Sequence, residues 1–209
     1  MIWVDPDEIQ YETYTYHGDS LNRYGRVYDG SWDRVRSRFD DRIEFQSLRR
    51  HFCEGVPWED TAYYIHARSR VTSGGEFRFF SSVTDVDRFF DSLDALYERI
   101  REDGYKTQQQ LRSERKSDGG ESSGLETDPL NEISVNLARD GTFLWQVHGQ
   151  HRLIMAKLLH LDLVPVQVCT RHAEWQRIRN QITPLDPREE SAAIPDRYRT
   201  HPDLQGLLN

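Results

Sequence analysis

Gly149-Gln150-His151-Arg152 stands between an alternating apolar run and a run of helical period. A glycine at such a junction lets the backbone come close to a ligand, and the first-turn N–H groups of the helix that follows point outward with partial positive charge. The chemistry this arrangement offers is anion binding, before any side chain is counted. His151 and Arg152 add basic groups to that first turn, where cations oppose the helix macrodipole by about 0.3–1 kcal/mol unless an anion is bound. Gly149, Gln150, His151 and Arg152 are therefore the candidate ligand-binding residues. The plain alternative is a tight connection with a polar helix start.

Arg171 and His172 follow directly on the last strand expected from the sequence, where they offer a second basic contact to the same ligand or simply begin a solvated helix. A phosphoryl-transfer reaction would also need a carboxylate to accept a proton from the substrate hydroxyl. Asp33, in Gly30-Ser31-Trp32-Asp33, is the first candidate, with Glu8 and Asp140 as alternatives. His148 and His151 have an H-x-x-H spacing, but no Cys or Glu lies nearby at ligand spacing, so no metal site is expected. Cys53 and Cys169 form no CxxC pair and read as buried thiols. Trp145 and Trp175 read as packing residues.

Several elements must position these groups. Ile2 to Ile9 is an opening strand stopped by a proline turn, and Tyr11 to Trp32 has no period and reads mostly as loop. Asp40 to Phe52 is a helix stopped by Gly55, and Pro57 opens a second one. Val86, Phe89, Phe90, Leu93, Leu96, Tyr97 and Ile100 recur at helical intervals, giving a core helix over Thr84 to Asp103 with a stop at Gly104. Arg112 to Asn131 is nearly devoid of large apolar residues and is expected to be a flexible insertion. Glu132 to Ala138 alternates as a half-buried strand, Arg139 to Thr142 is a hairpin turn, and Phe143 to Val147 returns. Gln150 to His160 is a helix, Val164 to Val168 a strand whose Pro165 marks a sheet edge or an unpaired N–H, and Ala173 to Ile182 a last helix before a Pro-rich tail over 183–209.

The 209 residues suit one substantial core rather than two, so a single domain over 1–182 is expected, with a helical insertion near 40–75 and a flexible one near 112–131. No run is apolar enough to span a membrane, and the N-terminus has no leader pattern, which together imply a cytoplasmic protein. The net charge of −8 argues against coating nucleic acid through a broad basic face, although a local basic patch is compatible with it.

Residues 131–168 resemble the ParB/sulfiredoxin superfamily, through Glu132-Ile133-Ser134-Val135, Asp140-Gly141, Gly149-Gln150-His151-Arg152-Leu153 and Val164-Pro165-Val166-Gln167-Val168. Leu93 to Tyr105 looks like the helix and glycine that the family places before its sheet, and Ile2 to Ile9 looks like its opening strand. The resemblance covers under half of the chain. It implies a Gly-x-x-Arg turn that meets nucleotide phosphates, as in CTP-binding ParB proteins, ATP-dependent sulfiredoxins and ADP-dependent free-serine kinases. The implied ligand is a nucleotide (ATP, ADP or CTP), with Mg²⁺ as an accompanying ion, held by Gly149, His151 and Arg152.

Two departures narrow it. Gln150 stands where a sulfiredoxin needs its cysteine, which removes sulfinic-acid reduction at this turn. Residues 169–209 are too few for the DNA-binding and dimerisation domains of a chromosome-partitioning ParB. The expected fold is α+β (α/β): a small mixed sheet with packed helices and a helical N-terminal insertion. The expected function is nucleotide or phosphate binding, with phosphotransferase or hydrolase activity. The alternative is a non-catalytic module that uses the nucleotide as a switch or associates with DNA.

Overall fold

A computed structural model describes residues 1–13, 24–117, 132–182 and 198–207. Among these the chain forms an α+β fold of seven strands and seven α-helices. The strands are β1 (Ile2–Val4), β2 (Tyr11–Thr13), β3 (Arg26–Tyr28), β4 (Arg36–Arg38), β5 (Ile133–Leu137), β6 (Phe143–Trp145) and β7 (Val164–His172). They make one mixed sheet in the order β1-β7-β5-β6-β2-β4, with β3 also paired to β7. Strands from both ends of the chain thus share one sheet. No helix among the described residues is long and apolar enough to cross a membrane.

Helices α1 (Ile43–Glu54), α2 (Ala62–Thr72), α3 (Val83–Asp103) and α5 (Gln150–Leu158) cover one face of the sheet. Ile133, Val135 and Leu137 of β5 meet Val164 and Val166 of β7 there, and Phe90, Leu93, Leu153, Ile154 and Met155 pack onto them. Gly55 ends α1 in the left-handed region at φ 72°, as its position predicts, and Gly104 ends α3. Ser82 caps α3, its hydroxyl accepting from the Asp85 N–H at 3.2 Å.

Several expectations are corrected. The region Tyr11 to Trp32 contributes β2 and β3, too short for a periodic signal, while 14–23 lies outside the described residues. Residues 112–117 of the expected flexible insertion belong to α4 (Gln108–Ser117), and 118–131 lies outside the description. β5 is buried on both faces rather than one: on the side away from the helices the Tyr24 hydroxyl meets Ser134 at 3.3 Å, and Trp32 packs in a small cluster with Ala138 and Leu144. β7 runs to His172 and is interior, pairing with β1 and β3 as well as β5, so Pro165 does not mark an edge strand. Part of the tail packs: α7 (Pro202–Gln205) buries Leu204, while 183–197 is outside the description. Cys53 is exposed and only Cys169 is buried, where desolvation pushes its thiol up to about 11 despite a hydrogen bond with Ser134. Trp145 and Trp175 are core residues, as read.

Candidate functional site

The connection from β6 to α5 is a strained turn. The His148 N–H donates to the Gln146 carbonyl at 2.7 Å, closing a three-residue turn whose central residue, Val147, has φ 49°. A β-branched residue in that region costs about 1–3 kcal/mol, and such conformations concentrate at ligand-binding segments. The turn is pinned to the sheet by the Ser134 N–H donating to the His148 carbonyl at 3.3 Å and by the Trp145 indole N–H donating to the same carbonyl at 2.9 Å.

Gly149 follows at φ 71° as the N-cap of α5, and no side chain caps that helix. A Cβ at Gly149 would lie 2.5 Å from the Ile133 Cα, so the glycine serves both the left-handed backbone and the close approach of α5 to β5. Its carbonyl accepts the first helical bond, from the Leu153 N–H at 2.9 Å.

The side chains of this first turn go in different directions. Gln150 Oε1 accepts from Arg42 Nη2 at 3.4 Å. That guanidinium also pairs with Glu12 and with Glu44, the latter at 3.2 Å, and lies 4.8 Å over the Trp145 ring. His151 Nε2 is 3.2 Å from the Tyr63 hydroxyl and accepts from Arg78 Nη2 at 3.4 Å. Burial, followed by the charges of Arg78 and Arg42, pulls the imidazole down to about 3, so His151 is neutral at physiological pH. Its expected role as a cation is corrected: it is a neutral acceptor for the Arg78 guanidinium. Arg78 is exposed and has φ 56° in a tight turn closed by a Phe77–Phe80 bridge, and its head lies 5.1 Å over the Phe89 ring.

Arg152 points inward. Its Nη1 donates to Glu132 Oε2 at 3.0 Å, its Nη2 to the Lys106 carbonyl, and it lies 4.1 Å over the Tyr105 ring. In this arrangement Arg152 ties the α3–α4 connection to β5 and is not directed at a ligand beyond the turn. Arg42 and Arg78, distant in sequence, are the guanidinium groups at the outer side of the turn.

Asp33, Arg171 and His172 are at the other end of the sheet. Ile133 pairs with Val166 and Leu137 with Arg171, and at roughly 3.3 Å per residue the two ends of β5 are about 13 Å apart. The expectation that Arg171 and His172 contact the same ligand as the Gly149 turn is therefore corrected. They are also the last residues of β7, not residues after it. Between Val135 and Leu137 the partner strand advances from Val168 to Arg171, one residue more, a bulge that turns Arg171 to the helix face and His172 to the opposite one. Arg171 pairs with Asp203 at 2.6 Å and helps dock α7, while His172 packs on Trp32 with ring centroids 5.8 Å apart and lies 3.0 Å from the Gly30 carbonyl.

Asp33 is buried and held by Arg139, whose Nη2 and Nε donate to it at 2.7 and 2.8 Å and whose backbone N–H donates at 3.1 Å. Burial would raise this carboxyl, but the side-chain and backbone hydrogen bonds of Arg139, with the charges of His172 and Arg139, hold it at about 2. Both its oxygens are occupied, and it sits away from the turn, which corrects its reading as a general base. Asp140 accepts from the Thr142 N–H at 3.0 Å in the β5–β6 hairpin and is a turn former. The carboxylates that do come near Gln150 are Glu12 and Glu44, through Arg42. Among the described residues no group of three or more His, Cys, Asp or Glu is placed to hold a metal ion.

Family models, curated proteins and solved structures were each compared with the chain, and none matches it.

Proposed function

We propose that the chain binds a nucleotide or another phosphorylated ligand at the 146–151 turn. The observation that carries the reading is the uncapped start of α5 at left-handed Gly149, with the Arg42 and Arg78 guanidinium groups beside its first-turn side chains. An anion there would be met by outward N–H groups and by the positive end of the macrodipole. The strain at Val147 and Arg78 supports the same location. The resemblance to ParB/sulfiredoxin proteins adds ATP, ADP or CTP, with Mg²⁺, as the ligands to try first. If the protein is a phosphotransferase or hydrolase, Glu44 is the carboxylate best situated to serve it. The pairing of Glu44 and Glu12 with Arg42 favours a second reading, a non-catalytic module in which the nucleotide acts as a switch.

The test is equilibrium dialysis of ATP, ADP, CTP and GTP with Mg²⁺ against the wild type and Arg78→Ala, an exposed position whose loss leaves the core intact. Binding of one nucleotide that weakens about tenfold or more in the variant is expected, the scale of losing a charge-assisted hydrogen bond of about 1.5–3 kcal/mol. Absence of binding to the wild type at millimolar nucleotide would overturn the proposal.

A further inference from the structure

The opposite end of α5 carries a second feature that does not depend on the turn at its start. A cleft of about 370 Å³ opens there, between α1, the last turn of α5 and the single turn Pro6–Glu8. Phe45 and Leu158 give it apolar walls, and Cys53 lines it as an exposed thiol. Lys157 also lines this cleft, with a side chain only 8 % exposed. Its one hydrogen-bond partner among the described residues is Asp7 Oδ1 at 3.5 Å, and the Asp7 side chain is 67 % exposed.

An ammonium group carries three donors and a strong hydration shell, so one long contact to a solvated carboxylate is poor compensation for burial. A neutral amine tolerates the same place well. It needs no second partner, and its lone pair is a nucleophile.

We propose that this cleft binds a small carbonyl compound, an aldehyde or ketone with an apolar body, and that Lys157 Nζ condenses with it as an imine. The nitrogen lone pair forms the C–N bond, and both amine hydrogens leave with the carbonyl oxygen as one water. No oxidant or reductant is required. Phe45 and Leu158 supply the apolar contact for the body of the ligand, and Asp7 is placed to relay the protons.

The protonation balance agrees with this geometry. Burial lowers the Lys157 pKa below the ordinary lysine range, against the opposing pull of Asp7, Asp40 and Asp5. Arg49 and Glu54 from α1 and His160 after α5 complete the charged and titratable groups facing the cleft.

The chain has three lysines, Lys106, Lys116 and Lys157, which makes the test internal to one molecule. The intact protein is treated with benzaldehyde and cyanoborohydride at pH 7.5, and the reduced adducts are mapped by peptide mass over time. Lys106, paired with Asp103 and Glu114, is the reference. Lys157 should be labelled severalfold faster than Lys106, since burial leaves more of it as free amine while the carboxylates beside Lys106 hold that one charged. Its rate should saturate with aldehyde concentration, and Cys53→Trp, which fills the cleft, should slow it about tenfold without changing Lys106. Labelling of Lys157 no faster than Lys106, or a rate indifferent to Cys53→Trp, would overturn the proposal. The wild-type comparison decides the matter even if the variant fails to fold.

Discussion

Arg152 and Glu132 form a buried ion pair between α5 and the start of β5, Nη1 to Oε2 3.0 Å, with side chains 9 % and 3 % exposed. The Tyr105 hydroxyl and the Gln108 backbone N–H donate to the same carboxylate. The residue most suggestive of a phosphate ligand in the sequence is therefore a structural clamp in the fold. Removing one partner strands the other charge in a low-dielectric setting. Arg152→Ala should cost about 3–5 kcal/mol in urea unfolding. A loss under about 1 kcal/mol would mean that Glu132 finds other compensation.

Gly149→Ala combines two penalties, a left-handed backbone and a Cβ placed 2.5 Å from the Ile133 Cα. The sum should be about 2–5 kcal/mol, from about 1–2 for the conformation and about 1–3 for overpacking. Thermal unfolding would register it as a large fall in Tm. A variant as stable as the wild type would show that α5 can move off β5 without cost.

Val147→Gly relieves the strained centre of the same turn. Unfolding measurements should show a gain of up to about 2 kcal/mol, what remains of the strain once the entropy of the added glycine is subtracted. If the turn is a ligand site, nucleotide affinity should fall as stability rises, because the glycine loosens the preformed geometry. Equal or higher affinity in a more stable variant would separate the strain from binding.

Acid should act on the two ends of the sheet in different pH windows. His151 has a folded pKa near 3 against an ordinary 6.5, so the unfolded chain takes up a proton first and stability falls as pH drops from about 6.5 toward 3. Asp33 is held at about 2 against 3.8, so its contribution is complete above about 4 and is lost between there and 2. His151→Gln should flatten the upper window and Asp33→Asn the lower one, read as Tm against pH. A His151→Gln protein that keeps the full decline between pH 6 and 4 would show that another group carries it.

How far the sequence revealed all this follows from which forces are local. The apolar period of Val86 to Ile100, the Asp140-Gly141 hairpin and the glycine stops at 55 and 104 are decided within a few residues, and the structure agrees with each. β2 and β3 are three residues long, held by pairing with β4, β6 and β7, so they leave no periodic trace. Gly149 was legible as a special position. The partners of the turn were not: Arg42 and Arg78 reach it from the residue that precedes α1 and from the α2–α3 loop, contacts set only by tertiary packing. An Arg between phenylalanines in Phe77-Arg78-Phe79-Phe80, just after two glycines, was the one sequence signal of an unusual turn. The bulge that exchanges the faces of Arg171 and His172 left none.

The most direct measurement is a ¹⁵N-amide NMR titration of the wild type with ATP, ADP and CTP in the presence of Mg²⁺. The account predicts saturable shifts that begin at the amides of Val147, Gly149, Gln150 and His151 and extend to the Arg42 and Arg78 side chains. Shifts centred on Asp33 and His172, or none at millimolar nucleotide, would contradict it.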